Sequence, residues 1–301
     1  MKPIYKIMFF FSIALVLAAI IATAIFGLRF GVDFEGGSVI ELEFSNVHPE
    51  PAEVLTVIGT ANIGSNLGTG TASPTGEHGL IIRLNEINEE THQAILKTLN
   101  ARYGKVAENR FASVGPTVGN ELRRKSITAM VVLLMAIVIY ISFVFRKMSR
   151  VLSSWAMGAA AIVALLHDVL IPIGIFALLG YYQSVEVSAV FVAAILTILG
   201  YSVSDTVVVF DRVRENVLRF GLTEDFGRLV HKSVLQTLSR SLNTTFTTLL
   251  SLIAIFLFGG ETVKYFALAL IIGIFLGAYS SIFVASPILV WASGRGRSVN
   301  S

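Results

Sequence analysis

Long runs of apolar residues, separated by short charged segments, dominate the chain. Six of them are long enough to cross about 30 Å of hydrocarbon as α-helices, which rise about 1.5 Å per residue. The third run contains His167 and Asp168, the fourth contains Asp205, and the other four contain no charged residue. This pattern predicts an α-helical membrane protein with six transmembrane helices at about 8–28, 126–145, 154–180, 187–210, 241–260 and 265–292.

The segment between the first two runs has the mixed polarity of a water-soluble domain. Strand-like alternation of apolar and polar residues appears at 38–44, 79–84 and 105–115. Apolar positions at helical spacing appear at 48–60 and 85–104. We therefore predict a small α+β domain of ferredoxin-like fold, in which residues 62–76 form a loop or a weak strand.

The predicted organisation has three parts along the chain. Residues 1–29 hold the first transmembrane helix, 30–122 the α+β domain, and 123–301 a five-helix transmembrane region. Within the last part, residues 223–240 alternate in polarity as an amphipathic helix that would lie along the membrane surface before the fifth run.

Lys and Arg cluster in the short loops on one side of the predicted membrane, the side that holds both termini. By the positive-inside rule this side is the cytoplasm, so the α+β domain is expected outside. Arg123, Arg124 and Lys125 lie on the opposite side, where a long translocated domain weakens the rule. Lys2 and Lys6 also fit a cleaved secretory signal, but an apolar run of roughly 20 residues favours a retained anchor.

Composition agrees with a membrane protein, since 54% of the 301 residues are hydrophobic and 14% are charged, against about 25% charged in soluble domains. The chain has no cysteine, which excludes disulfides and thiolate metal sites. No metal or cofactor is expected. The net charge of +3 comes from basic residues that flank the apolar runs, so it does not indicate nucleic-acid binding.

Asp205 is the strongest candidate for a functional residue. An acidic side chain in the middle of a transmembrane helix costs about 2.5–3.5 kcal/mol on insertion scales, so such residues usually face a bundle interior and carry function. Tyr201 and Ser202 share its helix face and offer hydroxyl groups there. The alternative is an aspartate near a helix end that pairs with Arg212.

Arg240 is the expected partner of Asp205, because it begins the fifth run, whose first half is rich in hydroxyl groups. The alternative makes Arg240 one more positive-inside residue. His167 and Asp168 either join Ser202 and Tyr201 in a polar relay for protons or form structural contacts between helices. Adjacent helical residues point about 100° apart, so we predict that His167 and Asp168 form no dyad with each other.

Five segments together resemble the SecF branch of the SecD/SecF family of bacterial protein-export membrane proteins, which is related to resistance-nodulation-division exporters. Each segment is ordinary alone, and the combination is specific. They include GVDFEGGSVIEL after the first run and LGYSVSDTVVVFDRVREN in the fourth, and their bounds are 31–42, 113–127, 165–174, 199–216 and 236–260.

The resemblance implies a multi-pass protein of the bacterial cytoplasmic membrane that is not an enzyme. Its implied partners are a separate SecD chain, the SecYEG channel and YajC, and proton flow would help to draw a secreted preprotein out of that channel. The family's functional aspartate corresponds to Asp205 and its arginine to Arg240. Ser204 and Phe210 depart from the residues common in the family, asparagine and serine, which puts the hydration of the site in doubt.

Three rival interpretations stay open at this point. Half of a proton-driven exporter of lipids or small molecules would share the topology and Asp205. An intramembrane aspartyl protease would use Asp168 and Asp205, although the Gly-x-Gly-Asp signature is absent. A passive scaffold of the translocon would not depend on Asp205.

Overall fold

The computed structural model describes two compact units and covers residues 2–45, 49–60, 70–76, 78–146, 154–221 and 225–296. One unit combines Met1–Arg29 with Thr128–Ser301, and the other is Phe30–Ile127. The second unit ends later than the predicted limit at residue 122, because the helix that begins at Pro116 contributes its polar first turns to it.

Six long apolar helices build the first unit, as the sequence predicts. In the described part of the chain, the first five spans are single helices: α1 (Pro3–Phe26), α5 (Pro116–Val144), α6 (Ser154–Gln183), α7 (Ala189–Phe220) and α8 (Phe226–Phe258). The sixth span is composite. It runs from α9 (Glu261–Ser280) through a π-helical segment (Ser281–Ala285) into α10 (Ser286–Gly296).

The fifth span differs from the prediction. Residues 226–240 do not form a separate surface helix; they are the first turns of α8, which continues unbroken to Phe258. Asp225 caps the helix by accepting a hydrogen bond from the backbone N–H of Arg228 at 3.1 Å. No proline or glycine follows Gly227 before the helix end, so nothing in the sequence interrupts it. Residues 223 and 224 of the predicted helix lie outside the described residues.

The second unit is a four-stranded antiparallel sheet of order β2-β3-β1-β4. With its helices, the chain order β1-α3-β2-β3-α4-β4 gives the predicted ferredoxin-like fold. A short helix, α2 (Val32–Glu35), precedes the sheet. The remaining elements are β1 (Gly37–Phe44), α3 (Pro51–Thr60), β2 (Thr71–Thr75), β3 (Gly79–Leu84), α4 (Glu89–Tyr103) and β4 (Val106–Val114).

The weak strand expected within residues 62–76 is β2, which pairs with β3 at the edge of the sheet. Residues 61–69 lie outside the described part of the chain. The core of this unit follows the strand alternation: Ile40 and Leu42 of β1 and Ile82 of β3 are fully buried, together with Ile95 and Leu99 of α4.

Gly37 begins β1 in a backbone conformation that favours glycine, with φ of +118°. A Cβ atom at this position would lie 2.7 Å from the carbonyl oxygen of Leu84, the last residue of β3. The start of the β1–β3 pairing therefore requires glycine for both conformation and space.

We predict that Gly37→Ala weakens the β1–β3 pairing by about 2–4 kcal/mol, from left-handed strain plus overpacking. Gly104→Ala is the matched control, because its φ is +83° and a Cβ there meets nothing within 4 Å; it should cost only about 1–2 kcal/mol of strain. Hydrogen exchange of the β1 and β3 amides in the full chain measures the opening free energy. Equal effects of the two substitutions would contradict the steric argument.

Candidate functional site

Asp205 lies on a buried face of α7. Ile198, Ser202, Asp205 and Val209 recur at helical spacing, and all four are buried, so the carboxylate points into the helical unit. The hydroxyl of Ser241 on α8 donates a hydrogen bond of 2.7 Å to the Asp205 carboxylate. A buried acidic group is thus held by a neutral hydroxyl from the neighbouring helix.

Arg240, the predicted partner, is exposed and lies next to Ser241 in the chain. Its charge acts electrostatically on Asp205. Within the part of the chain that the structure describes, the two side chains form no direct ion pair. Arg240 lines a cavity of about 240 Å³ between α7 and α8, together with Arg212 and Thr237. The geometry therefore places Arg240 beside the carboxylate without neutralising it by contact.

The alternative pairing of Asp205 with Arg212 is wrong. Arg212 donates to Glu215 at 2.7 Å, and Arg214 pairs with Asp211 at 2.6 Å. Both ion pairs join residues three positions apart near the end of α7, where they stabilise the helix. The Asp205 carboxylate is instead hydrogen-bonded to Ser241.

The prediction that His167 and Asp168 form no dyad with each other is also wrong. Nδ1 of His167 lies 2.8 Å from Oδ1 of Asp168, and both side chains are buried on α6. Their Cβ atoms diverge, but each side chain has two rotatable torsions, which bring the ring nitrogen to the carboxylate. Because both side chains are buried, this contact satisfies polar atoms on both groups.

Ser202 and a residue that sequence reasoning missed, Ser280, complete the surroundings of Asp168. The Ser202 hydroxyl on α7 donates to Oδ2 at 2.5 Å, and the Ser280 hydroxyl on α9 donates to the same oxygen at 2.7 Å. Asp168 thus ties α6, α7 and α9 together. The available signal for Ser280 was the polar pair Ser280-Ser281 inside an otherwise apolar run.

Close approach of α9 to α7 positions Ser202. A Cβ atom at Gly277 would lie 3.0 Å from Cβ of Ser202, and one at Gly273 would collide with Ile198. Glycines at these two positions, one helical turn apart, let the helix backbones approach closely, as is common at helix interfaces in membranes.

Tyr201, predicted to share the relay, lies apart from the Asp168 cluster. Its hydroxyl is 3.4 Å from that of Thr248 on α8. The two carboxylates, Asp168 and Asp205, form no hydrogen bond with each other in the described part of the chain. A protease dyad requires two carboxylates that share a proton, so the geometry does not support an aspartyl protease.

No group of three or more His, Cys, Asp or Glu side chains suited to a metal ion occurs among the described residues. The groups that the site presents are carboxylates, an imidazole and hydroxyls, which form hydrogen bonds and can bind protons.

Two family models match the chain. The model of the protein export membrane protein SecD/SecF C-terminal region matches residues 94–295. The model of the SecD/SecF GG motif matches residues 21–46, which include Gly36 and Gly37.

Several known proteins are similar in sequence to this chain over most of its length. The protein translocase subunit SecF of Thermobaculum terrenum is 44% identical over 93% of this chain and 89% of the relative. The protein translocase subunit SecF of Anaerolinea thermophila is 39% identical over 96% of this chain and 92% of the relative. The protein translocase subunit SecDF of Brucella abortus is 37% identical over 91% of this chain, which spans 35% of the longer protein.

A solved structure resembles the whole described architecture. The crystal structure of SecDF, a translocon-associated membrane protein from Thermus thermophilus, superposes with a TM-score of 0.79 and 32% identity over 96% of this chain, which spans 38% of the SecDF chain. These relatives support a role in protein export. The chain belongs to the SecD/SecF family of protein-export membrane proteins.

Proposed function

We propose that this chain is the SecF-type subunit of a SecD–SecF complex in the bacterial cytoplasmic membrane. The complex uses the proton-motive force to assist export of preproteins by SecYEG, and it is a transport subunit without enzymatic activity. YajC is a further proposed partner on the family resemblance alone. Both termini face the cytoplasm and the α+β domain lies outside, in keeping with the distribution of Lys and Arg.

The partner SecD is proposed as a separate chain. Two relatives named as SecF subunits are matched over 89% and 92% of their own length, and the SecDF relative carries both names in one protein, which supports SecD as the partner. The exposed face of α8 supports the same proposal, since Arg240 and Asn243 are exposed within an apolar span. Lipid is a poor environment for such groups, so a second set of helices is expected to cover them.

The single observation that carries the proton-coupling proposal is a buried Asp205 with a cation nearby and no ion pair to it. We assign two states to this group. In one, Asp205 is ionised and pairs directly with Arg240. In the other, which has the geometry described above, the carboxylate is separated from Arg240, binds a proton and keeps the hydrogen bond from Ser241. Exchange between the states moves α7 and α8 relative to each other.

The energy scale is adequate for a ratchet. One proton that crosses 100 mV supplies about 2.3 kcal/mol, which biases a two-state equilibrium roughly fifty-fold. A swing from 1:99 to 99:1 needs about 5.5 kcal/mol, so a full swing takes more than one proton or a larger driving force. A fifty-fold bias already suffices to prevent a preprotein from sliding back.

We predict that Asp205→Asn and Arg240→Ala each abolish the stimulation of export by a proton gradient, because neither variant can alternate between the two states. The assay is completion of preprotein export in vesicles that contain the full complex under an imposed gradient. The loss should approach the roughly fifty-fold bias that one proton supplies.

The controls change the same types of charge outside the site. Glu121→Gln on α5 removes an exposed carboxylate paired with Lys125, and Arg228→Ala removes a basic residue from the first turn of α8; neither residue lines the cavity that Arg240 lines. Both should retain gradient-driven export, and all variants must still co-purify with SecD. Unchanged stimulation in both Asp205→Asn and Arg240→Ala would refute proton coupling. Gradient-driven release of a lipid or small molecule, without crosslinks between the α+β domain and a preprotein, would favour the exporter alternative.

A second prediction concerns the hydroxyl that holds Asp205. Ser241→Ala removes a hydrogen bond to the protonated Asp205 carboxyl group, a contact worth about 0.5–1.5 kcal/mol, so gradient-driven export should fall by up to about tenfold and its pH dependence should change. Thr244→Ala is the control, because the Thr244 hydroxyl donates only to the backbone carbonyls of Arg240 and Ser241. Export measured over a range of pH values separates the two variants, and equal behaviour would remove Ser241 from the site.

A further inference from the structure

His167 and Asp168 form a pair that is built to bind a proton. Asp168 is fully enclosed, with 0% exposure, and His167 is 3% exposed. With a neutral imidazole and an ionised carboxylate, the pair carries one negative charge. One added proton makes it electrically neutral, either as imidazolium with carboxylate or as imidazole with carboxylic acid. A charge enclosed among membrane helices requires such compensation.

One atom of the pair is left without a partner. Nε2 of His167 is buried and has no hydrogen-bond partner among the described residues. The ring of Tyr279 stacks on the imidazole at 5.9 Å between centroids, but the Tyr279 hydroxyl is engaged with α1, donating to the Met8 carbonyl oxygen and accepting from Ser12. Nε2 is therefore the position at which a proton, or a water that delivers it, would bind.

Ser202 connects this pair to Asp205. It donates to Asp168 and lies three residues before Asp205 on α7, about one helical turn away. The Asp168 carboxylate also acts electrostatically on Asp205. Among the described residues, the titratable groups seen to interact with the pair are Tyr279 of α9, whose ring stacks on His167, and Asp205 of α7, on which Asp168 acts electrostatically. A change in the charge of the pair is therefore expected to change the proton affinity of Asp205 in two ways, by direct electrostatic interaction and by a shift in the position of α7.

We propose that His167 and Asp168 form a second proton-binding site and that Ser202 couples its occupancy to Asp205. This inference rests on the proposed function, in which Asp205 binds a proton. It assigns a second proton, which brings the available free energy closer to the about 5.5 kcal/mol of a full swing. Since each proton contributes its own bias, two sites that load in one cycle multiply their effects.

Four variants test the coupling in the full chain with its SecD partner in lipid. Infrared spectroscopy follows protonated carboxyl groups as pH changes, and the band lost in Asp205→Asn identifies Asp205. In Asp168→Asn we expect the proton affinity of Asp205 to change about tenfold, the scale of directly interacting sites. Ser202→Ala and Ser280→Ala form a matched pair, because each removes one hydroxyl donor from the same Asp168 oxygen. Ser202→Ala should shift the titration of Asp205, and Ser280→Ala should leave it in place.

The outcomes separate this inference from the proposed function. An Asp205 band that never titrates in the wild-type complex would refute the proposed function. An Asp205 band that titrates identically in wild type, Asp168→Asn and Ser202→Ala would refute the second site, as would equal shifts in the two serine variants. If Asp168→Asn fails to fold or to bind SecD, the serine pair decides alone.

Discussion

The arrangement of the transmembrane helices depends on keeping two carboxylates inside an apolar bundle. A buried carboxylate needs a proton, a cation or several hydrogen-bond donors. Here the donors are hydroxyl groups from other helices: Ser202 and Ser280 serve Asp168, and Ser241 serves Asp205. Each carboxylate therefore helps to hold its neighbouring helices in position. A change in its charge changes the free energy that these hydrogen bonds contribute to the packing of those helices.

Small residues make these contacts geometrically available. A serine hydroxyl reaches an acceptor only if the helix backbones approach closely, and Gly273 and Gly277 provide that approach between α7 and α9. Directly after Ser280 the sixth span widens into the π-helical segment Ser281–Ala285, a local form often found at functional sites. The hydroxyl of Ser286, the first residue of α10, donates to the carbonyl oxygen of Ser281, the first residue of this segment, at 2.8 Å. The polar donors and the irregular backbone thus lie in adjoining turns of the same span.

Periodicity along the sequence was sufficient for the six spans and the ferredoxin-like domain, because apolar length and strand alternation are local properties. It was insufficient where tertiary contacts decide. The angle between adjacent residues on a helix does not predict that the His167 side chain rotates to contact Asp168. The signs of the charges do not predict that Arg212 pairs with Glu215 and not with Asp205. The polar pair Ser280-Ser281 stands out in the apolar run, but the sequence does not show its partner, because Asp168 lies 112 residues away. The sequence does not reveal that α8 is unbroken, because the polarity changes near residue 240 while the helix continues.

The two carboxylates differ in access, and this difference orders the proton steps under the proposed mechanism. Asp168 is enclosed, so a proton reaches it only when a neighbouring helix moves. Asp205 is held by Ser241, whose neighbour Arg240 lines a cavity between α7 and α8. Proton exchange at Asp205 can therefore begin with local side-chain motion. Ser202 lies on the same helix as Asp205 and still donates to Asp168 in the geometry assigned to protonated Asp205. Loading of the enclosed pair therefore takes a later movement of α7, which makes it the second step.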